Sequence, residues 1–257
     1  MSDMETAIGF LIALAIGITG VGGGVLTTPI LIVFLGLPVR EAVGTSLIFV
    51  AAVKTLAVPV YVWRRQIGWK ALGCMLAGGI PGVLGGTLLL NSATSSGLSN
   101  LALAAVGLVV AVSAALSLMR LIKRQDRPAQ ADRGPLLALS SVGIGVEVGF
   151  SSAGAGALGT LALFQFARLS PAEVVGTDLL FGFVLAAVGG GFHLAGGTFN
   201  SVILIKLITG GALGAVLGAY LTSVFPARIL RSAISAWLIL LGVHLCYRGL
   251  GALSKAF

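Results

Sequence analysis

Apolar residues fill this chain in runs of about 20, with short polar or basic stretches between them. Runs of that length without period-two alternation predict membrane-crossing helices rather than barrel strands. In the first half an apolar stretch covers about 5–19, breaks at Gly20-Val21-Gly22-Gly23-Gly24 and resumes over 25–36; spans near 41–62, 69–90 and 98–120 follow. The second half repeats the order. A stretch at 135–150 breaks at Ser151-Ser152-Ala153-Gly154-Ala155-Gly156 and resumes over 157–168, before spans near 172–194, 199–222 and 227–248.

The repetition extends to the residues themselves. Shifted by 132 positions, 20–46 matches 152–178 at 11 of 27 positions without a gap. The same offset pairs Gly78, Gly79, Gly82 and Gly86 with Gly210, Gly211, Gly214 and Gly218. A duplicated apolar unit with glycine interruptions at corresponding places is the pattern of a secondary transporter. The expected organisation is repeat one over 1–119, a basic linker over 120–134 and repeat two over 135–257, together one structural domain.

Each repeat opens with about 30 apolar residues, too many for one span and too few for two. That length predicts two short helices meeting at a glycine break inside the membrane, as a re-entrant hairpin or a broken span. Backbone of that kind is tolerated at depth only where it is buried or lines a watery cavity. With hairpins the halves are inverted, and Arg64, Arg65, Lys70, Arg120, Lys123, Arg124, Arg127, Arg133, Arg168, Arg228 and Arg231 share the cytoplasmic side, 11 basic residues against 3 outside. With single crossings the halves are parallel and the split is 10 to 4. The positive-inside bias barely separates these; hairpin length and the acidic start, Met-Ser-Asp-Met-Glu, favour the inverted form.

Composition fixes the class. Of 257 residues 57% are hydrophobic and 9% charged, far from the roughly 25% charged residues of soluble domains. The fold class expected is all-α and polytopic, in a bacterial inner membrane. The net charge of +8 sits in short loops, so it implies no nucleic-acid partner. The start lacks the basic n-region of a cleavable signal peptide. Cys74 and Cys246 sit in apolar runs without metal-ligand spacing, and nothing calls for a cofactor or a metal. A homo-oligomer is left open.

Candidate chemistry lies where the repeat and the polarity coincide. The glycine breaks, with Gly22, Gly23 and Gly24 in one half and Gly154 and Gly156 in the other, free backbone N–H groups at the start of a helix, whose positive end favours an anion. Tight packing through small residues is the competing reading. Thr28 and Thr160 lie one turn beyond the breaks, and Gly44-Thr45-Ser46 pairs with Gly176-Thr177-Asp178. These hydroxyls either donate to a substrate or bond the carbonyl four residues back. Glu41 and Glu173 match across the repeat; Ser170-Pro171-Ala172-Glu173 reads as a capping box.

Ionisable residues inside the spans are Lys54, Glu147, Asp178, His193, Lys206 and His244. Each costs about 2.5–3.5 kcal/mol to insert, which makes each a functional candidate. Lys54, near mid-span, could hold an anion or pair with Glu147 or Asp178, the two candidates for proton coupling. Lys206 can snorkel, and His244 suits an interface. None of the charges obeys the repeat: Lys54 answers to Ala186, Glu147 to Ala15 and Asp178 to Ser46. A cation or metal permease using Glu147, Asp178 and His193 is the rival reading. An enzyme is not expected, since no Ser/His/Asp or His-rich spacing is present.

The segment from Gly20-Val21-Gly22-Gly23-Gly24 through Pro29, then Leu35-Gly36-Leu37-Pro38 and Ala42-Val43-Gly44-Thr45-Ser46, resembles the TauE/SafE family of sulfite exporter-like permeases. Gly78-Gly79-Ile80-Pro81-Gly82-Val83-Leu84-Gly85-Gly86 is similar to that family's next glycine-rich span. The resemblance covers nearly the whole chain. It implies a duplicated helical inner-membrane permease, often of about eight spans, carrying small sulfur-containing anions such as sulfite, sulfoacetate or another sulfonate, usually outward. The second half departs from the pattern: its break is Ser-Ser-Ala-Gly-Ala-Gly, it lacks a counterpart of Pro29, and it ends in Gly-Thr-Asp.

Overall fold

A computed structural model of the chain describes residues 2–19, 23–95, 98–123, 132–153, 156–221 and 227–253. Gly22 and Gly154, like most of the basic linker, lie outside the described residues. The described part is all helix: α1 (Ser2–Thr19), α2 (Gly23–Val33), α3 (Val39–Trp63), α4 (Trp69–Ser95), α5 (Ser99–Lys123), α6 (Gly134–Ser151), α7 (Ala157–Phe166), α8 (Pro171–Ala195), α9 (Ser201–Leu221) and α10 (Ala227–Leu253). Among the described residues seven helices are long and apolar enough to cross a membrane, α3 to α6 and α8 to α10. α1 offers a shorter apolar stretch, Met4–Ile18. α2 and α7, of 11 and 10 residues, reach only about halfway across a bilayer.

The 132-residue offset carries α1 onto α6 and α3 onto α8, end to end. Packing follows the same rule but crosses between halves: α1 packs chiefly on α9, and α6 on α4. The duplicated glycines make this possible. Side chains at Gly78, Gly82 and Gly86 would strike the backbones of Ala138, Val142 and Val146 on α6; at Gly210, Gly214 and Gly218 they would strike Thr6, Phe10 and Leu14 on α1. Both rows are one turn apart and advance together, so each pair runs parallel. With little hydrophobic drive between helices in lipid, such backbone approach supplies the attraction. Gly79 and Gly211 receive the rings of Phe181 and Phe49, another repeat-related pair, both fully buried.

Two pairs of repeat-related helices pack on each other, antiparallel. Along α3 and α8, Gly44 meets His193, Leu47 meets Gly189, and Tyr61 meets Gly176. Along α5 and α10, Asn100 and Ala104 meet Gly249 while Ala111 meets Gly242. α9 lies beside α3 in the same sense, with Thr198 near Gly44 and Gly211 against Phe49. Since α1 parallels α9, α1 and α3 run the same way, and the chain through α2 must return between them.

Two ends result. One gathers the α3–α4 turn, the start of α6 and the α7–α8 connection: Gly68 packs on Leu169, Gly176 on Gln66, and the Arg168 amide donates to Asp132 at 2.7 Å. Exposed Arg64, Arg65 and Lys70 stand there beside the exposed Trp63 and Trp69, which are placed as aromatic anchors at a membrane interface are. At the other end Arg40 Nε donates to Asn91 Oδ1 at 2.7 Å. The sides of the bundle are apolar and open, with Leu139, Leu213 and Leu240 about two-thirds exposed, as lipid-facing positions are. Ser170 and Glu173 form the reciprocal capping box at the start of α8.

Candidate functional site

Inside the bundle the two breaks touch. A side chain on Gly24, at the start of α2, would collide with the backbone and hydroxyl of Ser152, in the second break. Ser152 takes a left-handed conformation (φ 62°) as it closes α6. Its Oγ lies 3.0 Å from Ser46 Oγ on α3, a hydrogen bond across the halves. Beside this contact lies a narrow cavity of about 10 Å³, lined from the first half by Gly23, Gly24, Leu47, Val50 and Lys54, and from the second by Val148, Ser152, Ala153, Gly182 and Ala186. That is the smallest space able to hold one water. Val50 and Gly182 are repeat counterparts, as are Lys54 and Ala186, so the cavity straddles the relation between the halves.

Lys54 is the cation in the wall, 8% exposed. Among the described residues no carboxylate reaches ion-pair distance of it; the pair that does form is Lys206–Glu5 at 3.6 Å, on α9 and α1. Asp178 is the carboxylate whose charge reaches Lys54. Asp178 belongs to the second break. Thr160 Oγ1 lies 2.9 Å from Asp178 Oδ2 and 2.7 Å from the Gly156 carbonyl. A side chain at Gly159 would collide with Asp178 Oδ1. The carboxylate therefore rests on the first turn of α7, whose N-cap, Gly156, supplies no side chain.

The remaining sequence candidates lie elsewhere. Thr45 Oγ1 accepts from the Asn200 amide and Thr177 Oγ1 from the Gly68 amide, both at 2.9 Å. These repeat-related bonds tie α3 to the start of α9, and α8 to the start of α4. Each satisfies an N–H that a helix start leaves over. Thr28 is fully buried, and among the described residues its hydroxyl has no partner. Glu147 accepts a short hydrogen bond from Ser113 of α5 and does not line the cavity. His193 is fully buried, its Nδ1 2.6 Å from Thr198 Oγ1 and its Nε2 unpartnered. Glu147, Asp178 and His193 thus occupy three separate surroundings, and the described residues contain no group of three or more His, Cys, Asp or Glu able to hold a metal. Ser152, Glu5 and Ser113 were not singled out from sequence. Only Ser152 carried a signal, its place inside the second break.

An all-helical, lipid-facing bundle whose two halves bring interrupted helices together around an internal cavity is a membrane transporter in architecture. The chain belongs to the TauE/SafE family: the family model described as Sulfite exporter TauE/SafE matches residues 6–245. It is 28% identical over 254 residues to the "Probable membrane transporter protein YjnA" of Bacillus subtilis, covering 95% of this chain and all of that one. It is 27% identical over 230 residues to "Probable membrane transporter protein YdhB" of the same organism, covering 88% and 92%. A "Probable membrane transporter protein" of Xylella fastidiosa is 26% identical over 259 residues, 95% of each chain. No solved structure matches the chain.

Proposed function

We propose that the protein carries a small sulfur-containing anion, such as sulfite, sulfoacetate or another sulfonate, across a bacterial inner membrane. The observation that carries this is the contact of the two breaks beside a buried lysine that no carboxylate among the described residues reaches at ion-pair distance. A helix start, glycine backbone and one ammonium group suit an anion, and they repel a metal cation. The family's printed description, a sulfite exporter, agrees with that chemistry. The halves act as inverted repeats, with the Arg64–Lys70 end in the cytoplasm by the positive-inside bias. A cavity of about 10 Å³ is too small for a tetratomic oxyanion, so the site opens by movement of one half against the other, as alternating access requires. Asp178, whose charge acts on Lys54, is better placed than Glu147 to couple a proton to that movement.

Counterflow in proteoliposomes tests the reading. Labelled sulfite is exchanged against sulfite, a two-carbon sulfonate, sulfate and a divalent metal ion. Exchange driven by sulfite or the sulfonate supports the proposal, whereas competition by the metal alone overturns it.

A further inference from the structure

The two halves share a backbone plan but differ at one decisive place. In the second half, Asp178 lays its carboxylate on the first turn of α7, between Thr160 Oγ1 at 2.9 Å and the surface of Gly159. A carboxylate there neutralises the positive helix end. In the first half the same offset puts Thr28 for Thr160 and Ser46 for Asp178. Neither α2 nor its repeat mate has an acidic residue in its first turn, but α2 receives none from α3 either. Ser46 turns instead to Ser152. By the repeat offset Thr28 answers to Thr160 and Ser46 to Asp178, but among the described residues the Thr28 hydroxyl, wholly buried, meets no acceptor. Lys54 enters the cavity from the same half, where the second half has Ala186.

We propose that the transporter holds one anion, not two: the subsite is the start of α2 at Gly23 and Gly24 with Thr28, Ser46 and Lys54, and the equivalent position at α7 is already filled by the chain's own Asp178 carboxylate. Asp178 is a tethered occupant of the second site. An oxyanion of the substrate takes at α2 the place which that carboxylate takes at α7, accepting from Thr28 and from the freed α2 amides. This rests on the anion reading above and narrows it to the first half, whose Gly23, Gly24 and Lys54 line the cavity.

The test is equilibrium binding of labelled sulfite to purified full-length protein in detergent. Wild type should saturate at one sulfite per chain; saturation at two overturns the proposal even if no variant folds. Ser46→Asp copies the second half into the first and should weaken binding at least 100-fold. Ser46→Asn, nearly the size of aspartate but uncharged, should weaken it no more than about tenfold, the low end of one hydrogen bond to a charged group. Both variants are compared at equal monodispersity by gel filtration. Retained binding by Ser46→Asp, or equal loss in both, overturns the proposal while leaving anion transport standing. A wild type that binds neither sulfite nor a sulfonate removes the underlying reading as well.

Discussion

Adding one methyl group in the α4 row should separate packing from propensity. In Gly82→Ala the new Cβ would collide with the Val142 carbonyl and stand 3.0 Å from both Gly145 Cα and Val146 N, all backbone of α6. Backbone cannot swing aside, so α4 and α6 must part along a seam that also holds Gly78, Gly86, Gly145 and Gly149. Overpacking of this kind costs about 1–3 kcal/mol. Gly85, three residues on, has nothing within 4 Å of its would-be Cβ. There the substitution removes a helix-interior glycine and should gain roughly 0.5–1 kcal/mol. The second half has made this replacement already: Leu217 occupies the equivalent position and is 47% exposed. For a chain of this length about 1 kcal/mol moves the thermal midpoint roughly 2–4 °C. Differential scanning fluorimetry in one detergent should show Gly82→Ala lowered by about 3–10 °C and Gly85→Ala unchanged or slightly raised. Equal shifts for the two variants would refute the parallel α4–α6 seam.

Lys54→Ala should weaken sulfite binding by roughly 10- to 100-fold while leaving the thermal midpoint unchanged or higher, because a buried charge leaves the apolar interior; a drop in both would make the lysine structural. Arg65 adopts φ 54° at the position where the repeat has Gly197 at φ 62°, so Arg65→Gly should stabilise by about 1 kcal/mol, read as a raised midpoint. Ser170→Ala removes the hydroxyl of the capping box and should cost about 1 kcal/mol; an unchanged midpoint would mean that solvent replaces the cap. Single cysteines at Arg65 and Gly197, in a background lacking Cys74 and Cys246, should be labelled by an impermeant maleimide from opposite faces of oriented vesicles, and labelling from one face would exclude inverted halves.

The helices were legible because hydrophobic run length and the repeat act locally. The apolar stretches 41–62 and 172–194 sit within α3 and α8, and the breaks fall where glycine and serine cluster. The rows at Gly78 and Gly210 were visible as a repeat, yet their partners were not: a row of glycines records that a backbone comes close, not which one. That partner turned out to be in the other half. Hydroxyls were least legible. Thr45, Thr28 and Thr160 look alike in sequence, yet one satisfies a helix start, one is unpartnered and one meets a carboxylate. Which segment packs against each hydroxyl decides among these, and that is set by long-range packing. Lys54 could be singled out because charge in an apolar run is costly wherever it points. Glu147 had the same signal, but Ser113, 34 residues away, holds it off the cavity.

The exchange of helices between halves sets a timetable for biogenesis. α1 leaves the ribosome early, but the glycines that receive Thr6, Phe10 and Leu14 lie on α9, some 200 residues later. At about 5–20 residues per second, roughly 10–40 s pass before that berth is synthesised. Through that interval the first helix must wait in lipid or beside an insertion chaperone, whereas α6 finds α4 already laid down. A gene split at the linker would yield two polypeptides, each unable to finish its own packing, and the cell would have to make them together.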